Sequence, residues 1–244
     1  MARPLVIAHR GSSGERPENT LPAFERAVEQ AADMIETDLH LSRDGVIVIH
    51  HDAELERLGV EGEVRDHLAS ELAAINAAPG AAVHEKLPSL FDVLDGFGDR
   101  MQFNLELKVA SDDSHYEGIE DLVLSAVEER GLLARMLFSS FYDPVLKRLR
   151  AKSASARIAL LISPRAPVAI LERAAEVSAE AINPDVRLVT SELVADAHGA
   201  GLCVYPYTAN DEAEMTRLLD CGVDGIITNH PAMLHGLLRE REAG

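Results

Sequence analysis

The sequence has 244 residues, of which 47% are hydrophobic and 26% are charged, with 41 acidic and 23 basic side chains. A chain of this length can bury a substantial core, as one large domain or two small ones. Its formal net charge of −18 excludes nucleic-acid binding as the main function, because a phosphate backbone is bound by a dense field of lysine and arginine. The same charge argues against docking on an anionic membrane leaflet.

Two features of the chain predict a soluble, cytoplasmic protein without stable membrane association. Its two cysteines, Cys203 and Cys221, are too few for a disulfide framework, so we expect a reducing compartment. The apolar run near the N-terminus, Leu5–Ala8, is too short for the core of a signal peptide or for a membrane span.

Short β-branched runs alternate with longer amphipathic stretches along the chain. The predicted strands are Leu5–Ala8, Met34–Leu39, Val46–His50, Met101–Lys108, Met136–Ser140, Arg157–Ile162, Ala181–Ile182, Leu202–Tyr207 and Gly225–Thr228. The predicted helices are Leu21–Ala31, Leu90–Leu94, Glu117–Arg130, Pro144–Arg150, Pro167–Glu176, Ser191–Ala200, Glu212–Cys221 and Ala232–Glu240. Pro144 and Pro167 are predicted near the first positions of their helices, and Ser191 and Asp211 as N-caps.

This alternation predicts parallel strands joined by crossover helices. About eight such units in about 250 residues is the size of a (β/α)₈ TIM barrel of the α/β class. A doubly wound open sheet is the alternative, but the first turn lacks the Gly-x-Gly-x-x-Gly pattern that favours it. The chain is predicted to form a single domain over residues 1–244, with a polar, Ala- and Glu-rich insertion over approximately residues 52–87 on one barrel face.

Polar residues recur near the carboxyl ends of the predicted strands, where TIM barrels carry their reactive groups. Because side chains alternate faces along a strand, one set shares a face of the second strand and another shares a face of the strand Met101–Lys108. These sets are Glu36, Asp38 and His40, and Asn104, Glu106 and Lys108. The intervening residues are mostly apolar, so we expect the polar faces to point into the barrel. Buried carboxylates need a compensating cation, and oxygen ligands suit Mg²⁺ or Ca²⁺; a Glu106–Lys108 network without metal is the alternative.

A second group of candidates is histidines that follow apolar runs. His9 and one member of the His50/His51 doublet are predicted to follow strands that are adjacent in the barrel, where they would act as acid and base on opposite sides of one reacting centre. Taken singly, each is more often a structural histidine. Arg10 and Lys108 would bind an anionic substrate, pair with the neighbouring carboxylates, or do both.

Together these motifs resemble the glycerophosphodiester phosphodiesterase family. The resemblance runs from residue 5 to about residue 234 and is densest between His9 and Asp52. The matching motifs are His9-Arg10-Gly11, Pro17–Thr20, Glu36-Thr37-Asp38, Arg43–Val48, His51-Asp52, Leu87–Leu90, Glu106-Leu107-Lys108 and Asp224–Asn229.

The resemblance implies a TIM barrel that hydrolyses glycerophosphodiesters to glycerol 3-phosphate and an alcohol, with one divalent cation. Matched position by position, it implies metal binding by Glu36, Asp38 and Glu106. It implies catalysis by His9 and by His51, the member of the doublet that Asp52 follows. It implies that Arg10 and Lys108 contact the phosphate. The insertion is expected to cover the site and contact the glycerol end of the substrate.

Two departures from the family pattern lie on the alcohol side of the substrate. The chain has Arg57-Leu58-Gly59 where the family usually has Thr-Thr, and it has Tyr205–Asn210, without tryptophan, near the seventh strand. Two other functions remain open at this point: a phospholipase D-like enzyme acting on lipid phosphodiesters, and a non-catalytic barrel that binds a phosphate ligand.

Overall fold

A computed structural model describes residues 3–80 and 83–243. Within these ranges the strands are Leu5–His9 (β1), Met34–Leu41 (β2), Ile47–Ile49 (β3), Gln102–Leu107 (β4), Met136–Ser140 (β5), Arg157–Ile162 (β6), Ala181–Pro184 (β7), Cys203–Val204 (β8) and Gly225–Thr228 (β9). The helices are Leu21–Glu29 (α1), Ala69–Leu72 (α2), Leu90–Phe97 (α3), Ile119–Glu128 (α4), Asp143–Lys152 (α5), Ile170–Glu176 (α6), Ser191–Gly199 (α7), Glu212–Cys221 (α8) and Pro231–Ala243 (α9). No helix in these ranges is long and apolar enough to cross a membrane.

The strands form a nearly closed barrel. In the described part of the chain, eight of them pair in parallel in the order β8-β7-β6-β5-β4-β2-β1-β9. The gap between β8 and β9 is bridged by backbone hydrogen bonds, in which Asp224 N donates to Val204 O at 3.1 Å and Ile227 N donates to Pro206 O at 2.9 Å. The predicted TIM barrel is confirmed, and the open doubly wound sheet is not observed among the described residues.

Strand β3 departs from the prediction. It pairs antiparallel with β2 and lies outside the barrel ring, so the expectation that His9 and His51 follow adjacent barrel strands is wrong. The reason is the tight turn between the two strands, in which Ser42 N donates to Val46 O at 2.9 Å and Gly45 has a left-handed φ of 79°. Such a short connection makes a hairpin, whereas a parallel pair needs a crossover of about a dozen residues or more.

Two predicted helix starts also differ from the structure. Pro167 precedes α6, which begins three residues later, because Ala169 has a left-handed φ of 49° that the helix cannot include. Helix α7 is capped by Thr190 rather than by Ser191, since the Thr190 hydroxyl accepts a hydrogen bond from Leu193 N at 3.1 Å. Both differences are local and leave the order of strands and helices unchanged.

The interior of the barrel changes character along its axis. At its lower end the inward side chains form an apolar cluster of Ile7, Met34, Leu137, Ala159, Ala181, Tyr205 and Ile227. The outward residues Ile35, Leu39, Leu105 and Leu107 belong to the main core under the helices, as the sequence predicts. Above the lower cluster the inward residues become polar and charged, beginning with Glu36 and Asn104, which are register partners on β2 and β4.

The stretch between His51 and Leu87, interpreted above as an insertion, packs around its own apolar cluster. It contains 3₁₀ turns at Glu56–Leu58 and Val64–Asp66 and the short helix α2. The cluster consists of Val48, Leu55, Val64, Leu72 and Leu87. The first residues of this stretch are thereby held at the mouth of the barrel.

Candidate active site

Three buried carboxylates lie together inside the barrel, near the carboxyl ends of β2 and β4. Asp38 and Glu106 are register partners on these strands, and Glu36 lies one inward position below Asp38. Carboxylate oxygens of the three residues all lie within 4.8 Å of one another. The predicted inward polar face of β2 is therefore observed, and it is completed by β4.

Two basic side chains partly balance these carboxylates. Lys108 Nζ lies 2.9 Å from Asp38 Oδ1 and 2.6 Å from Glu106 Oε1, and Arg10 Nε lies 3.3 Å from Asp38 Oδ2. Burial and the charges of Asp38 and Glu106 raise the pKa of Glu36 well above its usual range. Burial also acts to raise the pKa of Asp38, but Lys108 and Arg10 hold it well below its usual range.

The charges and donor atoms of this cluster fit a divalent cation. Three carboxylates face two basic groups, so the ionised cluster keeps an excess of negative charge. Burial is also the main cause of a raised pKa of Glu106, which means that full ionisation is unfavourable without a further cation. An all-oxygen donor set suits Mg²⁺ or Ca²⁺. The Glu106–Lys108 ion pair that the sequence analysis gives as the alternative is also present. It does not neutralise the whole negative charge of the three carboxylates.

His9 is held as a neutral imidazole beside the carboxylates. Its Nδ1 lies 2.7 Å from Asn229 Oδ1, so Nδ1–H donates to the amide oxygen and Nε2 is left facing Glu36 Oε2 at 3.8 Å. Burial, with Arg10 beside the ring, lowers the pKa of His9 to about 4. A neutral Nε2 with its lone pair directed into the site can accept a proton.

His51 has a charged partner instead of an amide. Its Nδ1 lies 2.7 Å from Asp52 Oδ1, and the other carboxylate oxygen of Asp52 lies 3.0 Å from Arg57 Nη1. Burial and Lys108 lower the pKa of His51, while the hydrogen bond to Asp52 opposes that change. The neighbouring His50 is more deeply buried than His51, and it does not line the site cavity that His51 lines.

These groups surround a cavity of about 90 Å³. Of the residues predicted from the sequence, six line it: His9, Arg10, Glu36, His51, Glu106 and Lys108. The seventh, Asp38, lies behind them in contact with Arg10 and Lys108. The rest of the lining is Asn104, Ser139, Phe141, Leu161, Tyr207 and Ile227. The predicted site residues therefore come together in space.

A second, more open groove of about 500 Å³ adjoins this cavity. The two share His51, Glu106, Lys108 and Phe141. The remaining walls of the groove come from His40 on β2, from the segment after His51, from the end of β4, and from the loops that follow β4, β5 and β6. The site thus has a small inner chamber and a larger outer one that meet at the charged residues.

The sequence does not predict the role of several residues that support the site. Asn229, which binds His9, lies 220 residues away along the chain. Strand periodicity predicts His40 on the inner face of β2 but does not predict its partners. Its Nδ1 lies 2.8 Å from Tyr116 Oη, and its Nε2 lies 3.1 Å from His51 O. Burial lowers the pKa of His40 to about 3, so His40 is neutral when it binds the backbone carbonyl of His51.

Two histidines, buried carboxylates and basic groups lie together at the carboxyl ends of the barrel strands. These are the groups that a hydrolase acting on a phosphate ester needs. The chain belongs to the glycerophosphoryl diester phosphodiesterase family, whose sequence model matches residues 9–233. The family expected from the sequence motifs is therefore confirmed.

The chain is similar to individual relatives over nearly its full length. A glycerophosphodiester phosphodiesterase of Caldanaerobacter subterraneus subsp. tengcongensis is 33% identical over 240 residues, covering 97% of this chain and 98% of the relative. One of Bacillus subtilis is 32% identical and covers 96% and 86%. The structure of an Oleispira antarctica phosphodiesterase in complex with its product sn-glycerol-3-phosphate matches with a TM-score of 0.85 and 30% identity, covering 97% of each chain. A lysophospholipase D of Rattus norvegicus is 26% identical over 276 residues, covering 97% of this chain and 87% of the relative.

Proposed function

We propose that this enzyme hydrolyses glycerophosphodiesters to glycerol 3-phosphate and an alcohol, using a divalent cation and two histidines. The observation that carries the proposal is the cavity onto which His9, His51, Arg10 and Lys108 converge around buried carboxylates. Family membership supports the reaction class, and the product complex of the Oleispira antarctica relative supports glycerol 3-phosphate as the product.

Glu36, Asp38 and Glu106 are the residues that would hold the cation. When bound, it supplies Lewis-acid stabilisation of the negative charge that develops on the phosphoryl group. Arg10 and Lys108 add fixed positive charge at the same place, and both are already oriented by Asp38. Their pairing with carboxylates and their contact with substrate phosphate are compatible, because each carries several N–H donors.

The different partners of the two histidines support different roles. The carboxylate of Asp52 stabilises the protonated form of His51, which makes His51 the better general acid for the leaving alkoxide. His9 has a neutral amide partner and Arg10 beside it, so it stays unprotonated and is the better general base. Asp52 is in turn held by Arg57, which also lies 2.8 Å from Glu18.

The nucleophile is the 2-hydroxyl of the glycerol in our proposal. His9 removes its proton, the new bond from this oxygen to phosphorus closes a five-membered cyclic phosphate, and the bond to the alcohol breaks as His51 protonates the alkoxide. Water then opens the ring after the two histidines exchange roles. Intramolecular attack by a well-oriented group has an effective molarity of roughly 10⁵ M or more, which a free water lacks.

A substrate with hydrogen in place of the 2-hydroxyl distinguishes this route from direct attack by water. The cyclic route predicts that saturating turnover falls by several orders of magnitude and that the cyclic phosphate is itself hydrolysed. A fall of less than about tenfold in kcat with a raised KM would mean that the hydroxyl only aids binding. Direct attack by water would then replace the cyclic route.

The substrate range is tested with a panel of glycerophosphodiesters and lysophospholipids under several divalent cations. We expect water-soluble glycerophosphodiesters to be preferred, because charged residues such as Asp52, Glu54 and Arg165 line the outer groove. The rat lysophospholipase D makes lipid phosphodiesters the second candidate. Faster turnover of lysophospholipids would favour that candidate, and binding of phosphate without any turnover would favour a non-catalytic barrel.

We also propose a reducing, cytoplasmic location. The absence of a disulfide between Cys203 and Cys221, which are both free in the structure, supports this proposal.

A further inference from the structure

The inner cavity contains buried polar atoms that have no partner among the described protein groups. Asn104 Oδ1 and Ser139 Oγ are both in this state, in residues that are 1% and 0% exposed. Both residues line the cavity, and Ser139 is the register partner of Glu106. The buried Asn183 side chain on β7 also has two unpartnered polar atoms, but it is not among the residues that line the cavity. Such atoms are costly in a folded protein unless something binds them.

Another part of the cavity lining is apolar. Leu161, Ile227 and the ring of Phe141 line it together with Tyr207. The Tyr207 hydroxyl donates to Ile162 O at 3.1 Å, so its polar end already has a partner. A cavity that combines the polar atoms of Asn104 and Ser139 with apolar side chains matches a short polyol, whose hydroxyls need hydrogen bonds and whose carbon atoms need apolar contact.

The sizes of the inner cavity and the outer groove indicate which part of the substrate binds in each. If phosphate lies at the residues that both share, one ester arm must occupy each chamber. The inner cavity, at about 90 Å³, suits the small glyceryl arm that all these substrates have in common. The outer groove, at about 500 Å³, suits the alcohol, which varies from substrate to substrate. The resemblance implied instead that the insertion contacts the glycerol end; this geometry favours contact with the alcohol.

We propose that Asn104 and Ser139 form the subsite that recognises the 1-hydroxyl of the glyceryl group. This inference rests on the proposed phosphodiesterase function and adds to it the residues that select glycerol. With phosphate at Lys108, where the two chambers meet, the 2-hydroxyl would lie beside the histidines and the 1-hydroxyl would point towards Asn104 and Ser139. There it donates to Asn104 Oδ1 and accepts from the Ser139 hydroxyl.

The test compares glycerophosphocholine with an analogue in which hydrogen replaces the 1-hydroxyl. The analogue keeps the phosphate, the choline and the 2-hydroxyl, so its chemistry is unchanged. We expect the wild-type enzyme to prefer glycerophosphocholine by roughly 10²-fold in kcat/KM, because the analogue leaves buried polar atoms unpaired. Ser139→Ala should lower kcat/KM for glycerophosphocholine roughly tenfold and leave the analogue within about twofold.

Ser140→Ala is the matched control. Ser140 lies next on the same strand, but its hydroxyl donates to Leu107 O at 2.8 Å and does not line the cavity. This variant should keep the wild-type preference even if it lowers stability. Asn104→Ala should reduce the preference as Ser139→Ala does, with an unchanged dissociation constant for Ca²⁺ or Mg²⁺.

Equal kcat/KM values for the two substrates with the wild-type enzyme would overturn the assignment without any variant. So would a preference that Ser139→Ala and Asn104→Ala leave intact, or a loss in Asn104→Ala that follows weaker metal binding. Failure of the proposed function looks different, because wild-type enzyme would then release glycerol 3-phosphate from neither glycerophosphocholine nor any other glycerophosphodiester.

Discussion

Replacing Lys108 with methionine tests the charge balance of the acidic cluster. The Lys108 ammonium lies between Asp38 and Glu106, at 2.9 and 2.6 Å. Burial acts to lower its pKa, but the two carboxylates raise the pKa above its usual range. Methionine has a similar length and no charge, so the variant leaves three buried carboxylates facing Arg10 alone. In chelator we expect the free energy of unfolding to fall by about 3–5 kcal/mol, the cost of removing one partner of a buried ion pair.

For a protein of this size that loss corresponds to a fall in Tm of roughly 10 °C. A divalent cation should restore much of it, because it replaces the missing positive charge. A metal ion at one hundred times its Kd raises the free energy of unfolding of the wild-type protein by about 2.7 kcal/mol. The increase for Lys108→Met should be larger at the same concentration. Glu106→Gln is the matched variant, because it removes a negative charge instead of a positive one. It should unfold at or above the wild-type temperature in chelator, and metal should stabilise it little.

The assay is thermal or urea unfolding of the three proteins in chelator and in excess Mg²⁺ or Ca²⁺. A loss below about 1 kcal/mol for Lys108→Met in chelator would refute the charge argument. Equal stabilisation of Lys108→Met and Glu106→Gln by metal would refute the assignment of the carboxylates as ligands.

The histidines provide the remaining predictions. His9→Ala and His51→Ala should each lower kcat for glycerol 3-phosphate release about 10²–10⁴-fold, whereas the control His50→Ala should change it little; a tenth of wild-type activity in either of the first two would remove that residue from catalysis. Asp52→Asn takes a carboxylate from His51 and should lower its pKa, so the alkaline limb of the kcat/KM profile moves to lower pH; an unmoved limb argues against His51 as the acid. Burial lowers the pKa of folded His40 from 6.5 to about 3. At pH 5 the unfolded state therefore holds a proton that the folded state does not, which lowers the free energy of unfolding by about 2 kcal/mol in chelator. His40→Gln should lose stability less steeply with acid, and parallel curves would contradict this.

The inward polar faces could be predicted because strand periodicity is a local property. Alternation along Glu36, Thr37 and Asp38 indicates that the two acidic side chains share one face. The same rule places Glu106 with Lys108, and a parallel barrel then brings these residues to one end. Both expectations follow from short segments, without information on distant contacts.

Features that depend on a turn or on closure of the barrel were not predictable in this way. By its periodicity, strand β3 reads as another barrel strand, but the connection from β2 is too short for a parallel crossover and makes it antiparallel. Asn229 meets His9 because β9 pairs with β1, a contact between the two ends of the chain. Likewise, the bond between His40 and Tyr116 depends on how the loop after β4 folds over β2.

The most direct test of the proposed function is release of glycerol 3-phosphate from glycerophosphocholine by the purified protein, before and after chelation and after a divalent cation is restored. We predict steady release that stops in chelator, returns with Mg²⁺ or Ca²⁺, and is lost in His9→Ala and His51→Ala at every metal concentration. Undiminished release in chelator would contradict the metal site, and the absence of release from any glycerophosphodiester would contradict the function itself.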